Sequence, residues 1–167
     1  MLVWTKMPTP IGRLVLMATD IGVVRVAFDA EGMEAVRDGV AAQLGDTPVE
    51  DTHALMPVVE ELEEYFQGYR RRFDVPLDWS LASGFYRTVE QLLDMIPYGQ
   101  TLSYSELAAR AGRPRAHRAA ASACARNPLP LLAPCHRVVR SDGGLGGYLG
   151  GLTAKRLLLD LEKRAVE

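Results

Sequence analysis

Cysteine is scarce in this chain: two residues in 167, Cys124 and Cys135. So small a number excludes a disulfide framework. Histidine is nearly as rare, with His53, His117 and His136 only. Without a CxxC or HxxxH spacing, a four-ligand zinc site has no ready source, and no metal is expected. No apolar run approaches the ~20 residues that cross a bilayer. The opening "MLVWTKMPTP" lacks the basic start and apolar stretch of a secretory leader. A soluble, cytoplasmic protein with no membrane partner is expected. One further absence is local. From Leu107 to Ser141 there is no Asp or Glu, while Arg110, Arg113, Arg115, Arg118, Arg126, Arg137 and Arg140 all fall in that window.

The net charge of −2 hides this asymmetry. Residues 1–80 hold 7 basic and 14 acidic side chains; residues 81–167 hold 12 and 7. An arginine field of one sign points to a polyanion, with nucleic acid the first candidate. The plain alternative is a solvated basic face.

Residues 1–80 read as a small α/β domain with an antiparallel sheet. "LVWTK" suggests a strand, "PTPIG" a turn, and "RLVLMA", "TDIG" and "VVRVAFD" a hairpin. Helices are expected over Gly32–Leu44 and Met56–Gln67, the second with Val59, Leu62 and Phe66 on one face. "RRRFDVPLDW" reads as a last strand or an extended linker, because Pro76 excludes a helix interior. Composition changes near Ser80, where the domain boundary is placed.

Residues 81–167 read mostly as helices. One spans Phe85–Met95. In "LSYSELAARAG", Ser103 followed by Glu106 makes a capping box, and Gly112 ends that helix. A second helix covers Ala116–Arg126, stopped by "NPLP". Two short helices about a glycine-containing turn form a helix-turn-helix candidate. The second is nearly all alanine, with Arg118 its only long side chain mid-helix. Its thinness suits either tight helix packing or close entry into a DNA groove, with Arg118 as a wedge.

"LLAPCHRVVR" (131–140) sets Cys135 beside His136. Cys135 is either a small buried hydrophobe or a nucleophile. A thiol with a pKa near 8.5 needs a base, and the base needs an orienting group. His136 is adjacent, a water could relay the proton, and Glu162 on an apparent C-terminal helix is the candidate carboxylate.

These segments carry a resemblance. "PCHRVV" resembles the acceptor motif of the O6-alkylguanine-DNA alkyltransferases. "IPYGQTLSYSELAARAG", "RAAASACARNPLPLLAPCHRVV", "GGLGGYLGGLTAKRLLLDLE" and "TPIGRLVL" resemble family segments in the same order, closely over 84–162 and more loosely before. The resemblance implies an α+β protein. It would pair a ribonuclease H-like domain with a mainly helical, winged-helix-like domain bearing the helix-turn-helix. It implies a suicidal methyltransferase that flips O6-alkylguanine from duplex DNA, binds the minor groove, needs no cofactor and is a monomer. Cys135 would accept the alkyl group. His136 would take the thiol proton through water, Glu162 would hold the imidazole, Tyr104 would protonate the leaving guanine, and Asn127 would support the turn. Arg118 would replace the flipped base. Ser103, Ala119, Ser122 and Cys124 would face DNA or the base. Val138, Tyr148, Leu149, Gly150 and Lys155 would read or cover it, with backbone groups of Cys135 and Val138 at the guanine edge.

Several positions depart from the family. Leu149 replaces a serine of some members, Cys124 a larger apolar residue, and Glu90 a usual tryptophan. The zinc ligands of some members are absent. A non-catalytic helix-turn-helix sensor of alkylated DNA is the first alternative, although such relatives lack the acceptor cysteine. A cysteine hydrolase is the second, and it leaves the arginine window without a role.

Overall fold

In the computed structural model, residues 1–166 are described, and they divide into two compact units, the first Met1–Leu81 and the second from Ala82 onward. In the first, β1 (Val3–Met7), β2 (Leu14–Ala18) and β3 (Val23–Phe28) form an antiparallel meander. Helix α1 (Met33–Leu44) follows, ending at Gly45 in the left-handed conformation, φ 66°. Period-2 alternation places Leu2, Trp4, Val15, Met17 and Val24 on one sheet face, packed with Val36, Val40 and Leu44 of α1. Each such side chain stabilises the fold by roughly 1.5–3 kcal/mol when fully buried. Thr5 points to the other face, where its hydroxyl bonds that of Thr52 at 2.7 Å.

Helix α2 (Met56–Phe66) buries Val58, Val59, Leu62 and Tyr65, with Phe66 half-buried. The expected antiparallel sheet is in fact mixed. A two-residue strand, β4 (Val49–Glu50), pairs in parallel with β1, giving the order β3-β2-β1-β4. Its shortness leaves no periodic signal to read. The "RRRFDVPLDW" segment is an extended linker that touches β3 through one bridge, Val23 to Leu77. Gly22 permits that approach, since a Cβ there would strike the Pro76 carbonyl.

The second unit begins with α3 (Gly84–Leu92), extended by a 3-10 turn to Met95. A short strand, β5 (Leu102–Ser103), leads into α4 (Tyr104–Arg110). The Ser103 hydroxyl accepts from the Glu106 amide at 3.0 Å and the Glu106 carboxylate accepts from the Ser103 amide at 3.4 Å, which completes the capping box. Gly112, at φ 85°, turns the chain into α5 (His117–Ala125). Helices α3, α4 and α5 pack on one another. Then β6 (Val138–Val139) pairs in parallel with β5, and α6 (Leu152–Val166) closes the chain. No helix among the described residues is long and apolar enough to cross a membrane.

Candidate active site

The chain between α5 and β6 is buried at every position from Asn127 to Val138. A buried loop must satisfy its backbone polar groups, and Asn127 does part of this. Its Nδ2 donates to the Ala133 carbonyl at 2.9 Å, and its Oδ1 accepts from the Leu129 amide at 3.0 Å. Within the turn so tied, Leu131 stands at φ 73°, a conformation that costs a bulky residue energy and persists where its surroundings impose it. The loop delivers Cys135, His136 and Arg137 as one 3-10 turn, all three buried.

Glu162 of α6 is the hub of this turn, itself 0 % exposed. Its Oε2 meets His136 Nε2 at 2.7 Å and accepts from Arg137 Nη2 at 3.1 Å. Its Oε1 accepts from Arg137 Nε at 2.8 Å and from the Gly99 amide at 3.1 Å. Burial alone would raise the Glu162 carboxyl, but the bonds and charges of His136 and Arg137 prevail and hold its pKa at about 2. Arg137 extends the network through Nη1 to the Ile96 carbonyl at 2.7 Å and lies over the Tyr98 ring. Sequence reasoning counted Arg137 among phosphate-binding arginines, and that reading is corrected here. A buried guanidinium bidentate on a carboxylate is unavailable to DNA. The missed signal was its place inside a buried apolar run.

His136 sits below its ordinary pKa because it is buried, with Arg137 and Lys155 acting in the same sense and Glu162 opposing. It is therefore a neutral imidazole at neutral pH, as a base must be. Burial likewise pushes the Cys135 thiol up to about 11, against the Asn127 hydrogen bond and the Lys155 charge, which favour the thiolate. The resting sulfur is protonated and becomes a nucleophile only by giving up that proton.

Lys155, wholly buried, donates to the carbonyls of Val138 (2.7 Å), Gly147 (3.2 Å) and Leu145. One ammonium thus ties α6 to β6 and to the glycine-rich loop 143–147. Tyr104 lies beneath that loop, its ring 5.7 Å from Lys155 Nζ. A Cβ on Gly146 would come within 2.5 Å of the Tyr104 hydroxyl, and φ there is 73°. Glycine is needed at 146 on both counts. Sequence reasoning did not single it out, though "GGLGG" was the available signal. Burial, with the Cys124 and Cys135 thiols nearby, raises the Tyr104 hydroxyl to about 12, so it remains a donor. Tyr148 is half-buried, its ring set edge-on to His136 at 6.5 Å.

On α5, Arg118 is exposed, and Ala119 and Ser122 are half-buried. Cys124, expected to face DNA or the flipped base, is buried on α5. The Ser103 hydroxyl is engaged by the cap, and Val138 is buried with its carbonyl on Lys155. Leu149 is exposed and Gly150 half-buried. In the basic window, Arg113 stacks on Phe85 and Arg126 on Tyr86, while Arg140 pairs with Asp142 at 2.8 Å. Among the described residues, no group of three His, Cys, Asp or Glu side chains is placed to hold a metal.

The class these features define is a two-domain α+β protein whose second domain couples a helix-turn-helix to a buried thiol, imidazole and carboxylate. Known proteins narrow it. Residues 84–164 match the DNA-binding domain of 6-O-methylguanine DNA methyltransferase, and residues 2–79 match its ribonuclease-like domain. A methylated-DNA–protein-cysteine methyltransferase of Mycolicibacterium paratuberculosis is 38% identical over 164 residues, 98% of this chain and 94% of the relative. The Mycobacterium tuberculosis O6-methylguanine methyltransferase structure superposes with TM-score 0.86 at 36% identity, covering 99% of this chain and 94% of that one. The same organism's protein in complex with DNA gives TM-score 0.85 at 34% identity, over 98% and 94%. This chain belongs to the 6-O-methylguanine DNA methyltransferase family.

Proposed function

We infer that this protein repairs alkylated DNA by direct reversal, moving the alkyl group of O6-alkylguanine to Cys135. The observation that carries this reading is the turn Cys135–Arg137. Its cysteine heads two residues that are both anchored on one buried carboxylate. Because Nε2 of His136 is on Glu162, the thiol proton goes to Nδ1, directly or through a water. The sulfur forms a bond to the alkyl carbon as the O6–carbon bond breaks. The departing guanine anion takes a proton from Tyr104. The product is a thioether, which offers water no carbonyl to attack, so each molecule reacts once and irreversibly.

The lesion must leave the base stack to reach Cys135, a residue only 5 % exposed, at a cost of a few kcal/mol. Arg118, exposed on α5, fills the vacated place in the duplex. The alanines of α5 let its backbone approach closely, which suits the minor groove. Phosphate contacts from exposed arginines offset the flipping cost, and binding weakens with salt. The protein acts as a monomer. Its two free thiols suit a reducing, cytoplasmic location.

The test is intact-protein and peptide mass after incubation with an O6-methylguanine duplex. We expect one methyl per molecule, on the Cys135 peptide. Tight binding at unchanged mass would instead make it a sensor, and release of product over many turnovers a hydrolase. Cys135→Ala is expected to bind lesion DNA and never to accept methyl. Transfer by that variant would overturn the assignment of the acceptor.

A further inference from the structure

Arg137 is buried, and every nitrogen of its guanidinium is engaged. Nε and Nη2 grip the two oxygens of Glu162 at 2.8 and 3.1 Å, while Nη1 donates to the Ile96 carbonyl at 2.7 Å. The guanidinium carbon lies 5.6 Å from the centre of the Tyr98 ring. The same carboxylate takes the Gly99 amide at 3.1 Å. The turn from Ile96 to Gly99 leads into β5, and β5 delivers Tyr104 at the start of α4. Strand β5 is in turn paired with β6, which follows Arg137 directly, Leu102 against Val138 and Ser103 against Val139. The chain from Ile96 to Tyr104 is therefore fastened to the acceptor turn and its strand at two places. Strand pairing holds its Tyr104 end, and one guanidinium holds its Ile96 end. A planar fork of N–H donors can make that span. A lysine ammonium cannot grip both oxygens of a carboxylate and a separate carbonyl in fixed directions.

We propose that Arg137 is a positioning residue for both proton transfers, holding the base His136 and the leaving-group donor Tyr104 in one frame. The inference rests on Cys135 being the acceptor. The arrangement has an electrical consequence as well. Glu162 Oε2 is shared by His136 Nε2 and Arg137 Nη2. With the carboxylate already neutralised by a fixed cation, the imidazole needs no second proton, and Nδ1 stays open for the one the thiol gives up. The groups facing His136 are Glu162 and Lys155 from α6, Cys135 and Arg137 in its own turn, and Tyr148 from the loop before α6. Burial holds the imidazole pKa down, and the Arg137 and Lys155 charges act in the same sense. Without the Arg137 charge, Glu162 is left to His136 alone, which draws a proton to the imidazole and closes Nδ1.

The experiment is single-turnover methyl transfer from an O6-methylguanine duplex, read as Cys135 peptide mass against time between about pH 5 and pH 9. Arg137→Lys keeps the charge and gives up the span. Its rate is expected to fall about tenfold. In its background Tyr104→Phe should cost clearly less than in the wild-type chain, since the donor is already displaced. Additive losses in this double-mutant cycle would overturn the shared frame. Arg137→Gln removes the charge, and the acid limb of its rate profile is expected about one unit above the wild-type limb. A merely structural arginine gives an unmoved limb, or fewer reacting molecules at the wild-type rate, and either result overturns the proposal. If Arg137→Gln does not fold, the lysine cycle decides alone. If the wild-type chain transfers no methyl at any pH, the acceptor assignment fails instead. Arg137 is then judged by NMR titration of the His136 imidazole, whose midpoint is expected higher in Arg137→Gln. Coincident midpoints would overturn the role of Arg137 as well.

Discussion

The second unit buries two glutamates, and the two are held in opposite states. On the α6 side, Glu162 accepts bonds from His136, Arg137 and the Gly99 amide, and its pKa falls to about 2. On the α3 side, Glu90 meets no donor at Oε2, and burial takes its pKa to about 8. Desolvation acts on both in the same direction. What separates them is whether the protein supplies donors and a counter-charge. An ionised carboxylate so held orients the His136 imidazole.

The largest effect expected from disturbing this contrast is at Glu162. Glu162→Gln leaves Arg137 buried without its counter-charge, which costs about 3–5 kcal/mol. A urea or thermal melt should show this, with methyl transfer lost as His136 is released. The pH dependence follows from the same bonds. The native carboxyl ionises well below the unfolded one, so its contribution is full above about pH 4.5 and disappears as pH falls towards about 2. Acid unfolding in that window should be shallower in the Gln variant.

A smaller effect is expected at Lys155, which lies between the two carboxylates in consequence. Lys155→Met strips three carbonyls of their donor, and the one that is buried, that of Val138, costs about 1–3 kcal/mol when left unmet. The loop over Tyr104 loosens, and transfer should slow roughly tenfold to a hundredfold by single-turnover kinetics. Limited proteolysis within residues 141–150 should quicken in parallel.

The smallest effect, and the one of opposite sign, is on stability at Glu90. The unfolded chain loses this proton near pH 4.5 while the folded chain keeps it to about pH 8, so stability drains away as pH rises between those values. Glu90→Gln should therefore melt higher than wild type at pH 8, by several degrees, with the gap closing towards pH 4.5. An equal gap at both pH values would show that the two glutamates do not differ as described.

Much of this was legible in the residues. The 3.6-residue spacing of Val59 and Leu62 marked α2, and Ser103 with Glu106 marked the start of α4. Both rest on contacts within one turn, where sequence distance and spatial distance agree. Strand β4 was not legible, because two residues carry no period and their partner, Val3 to Trp4, lies far back in the chain. Arg137 was misread for a related reason. In sequence it joins six other arginines without an acid nearby, and only folding brings Glu162, 25 positions on, against it.

The amino-acid sequence alone determined the helices, the capping box, the one-signed arginine window and the motif "PCHRVV", since each is a matter of neighbours along the chain. Tertiary structure alone decided which charges are neutralised, that both thiols are buried, and which buried glutamate keeps its proton. The physical reason is that ionisation inside a protein follows the donors and counter-charges within a few ångströms, and folding draws those from distant parts of the chain.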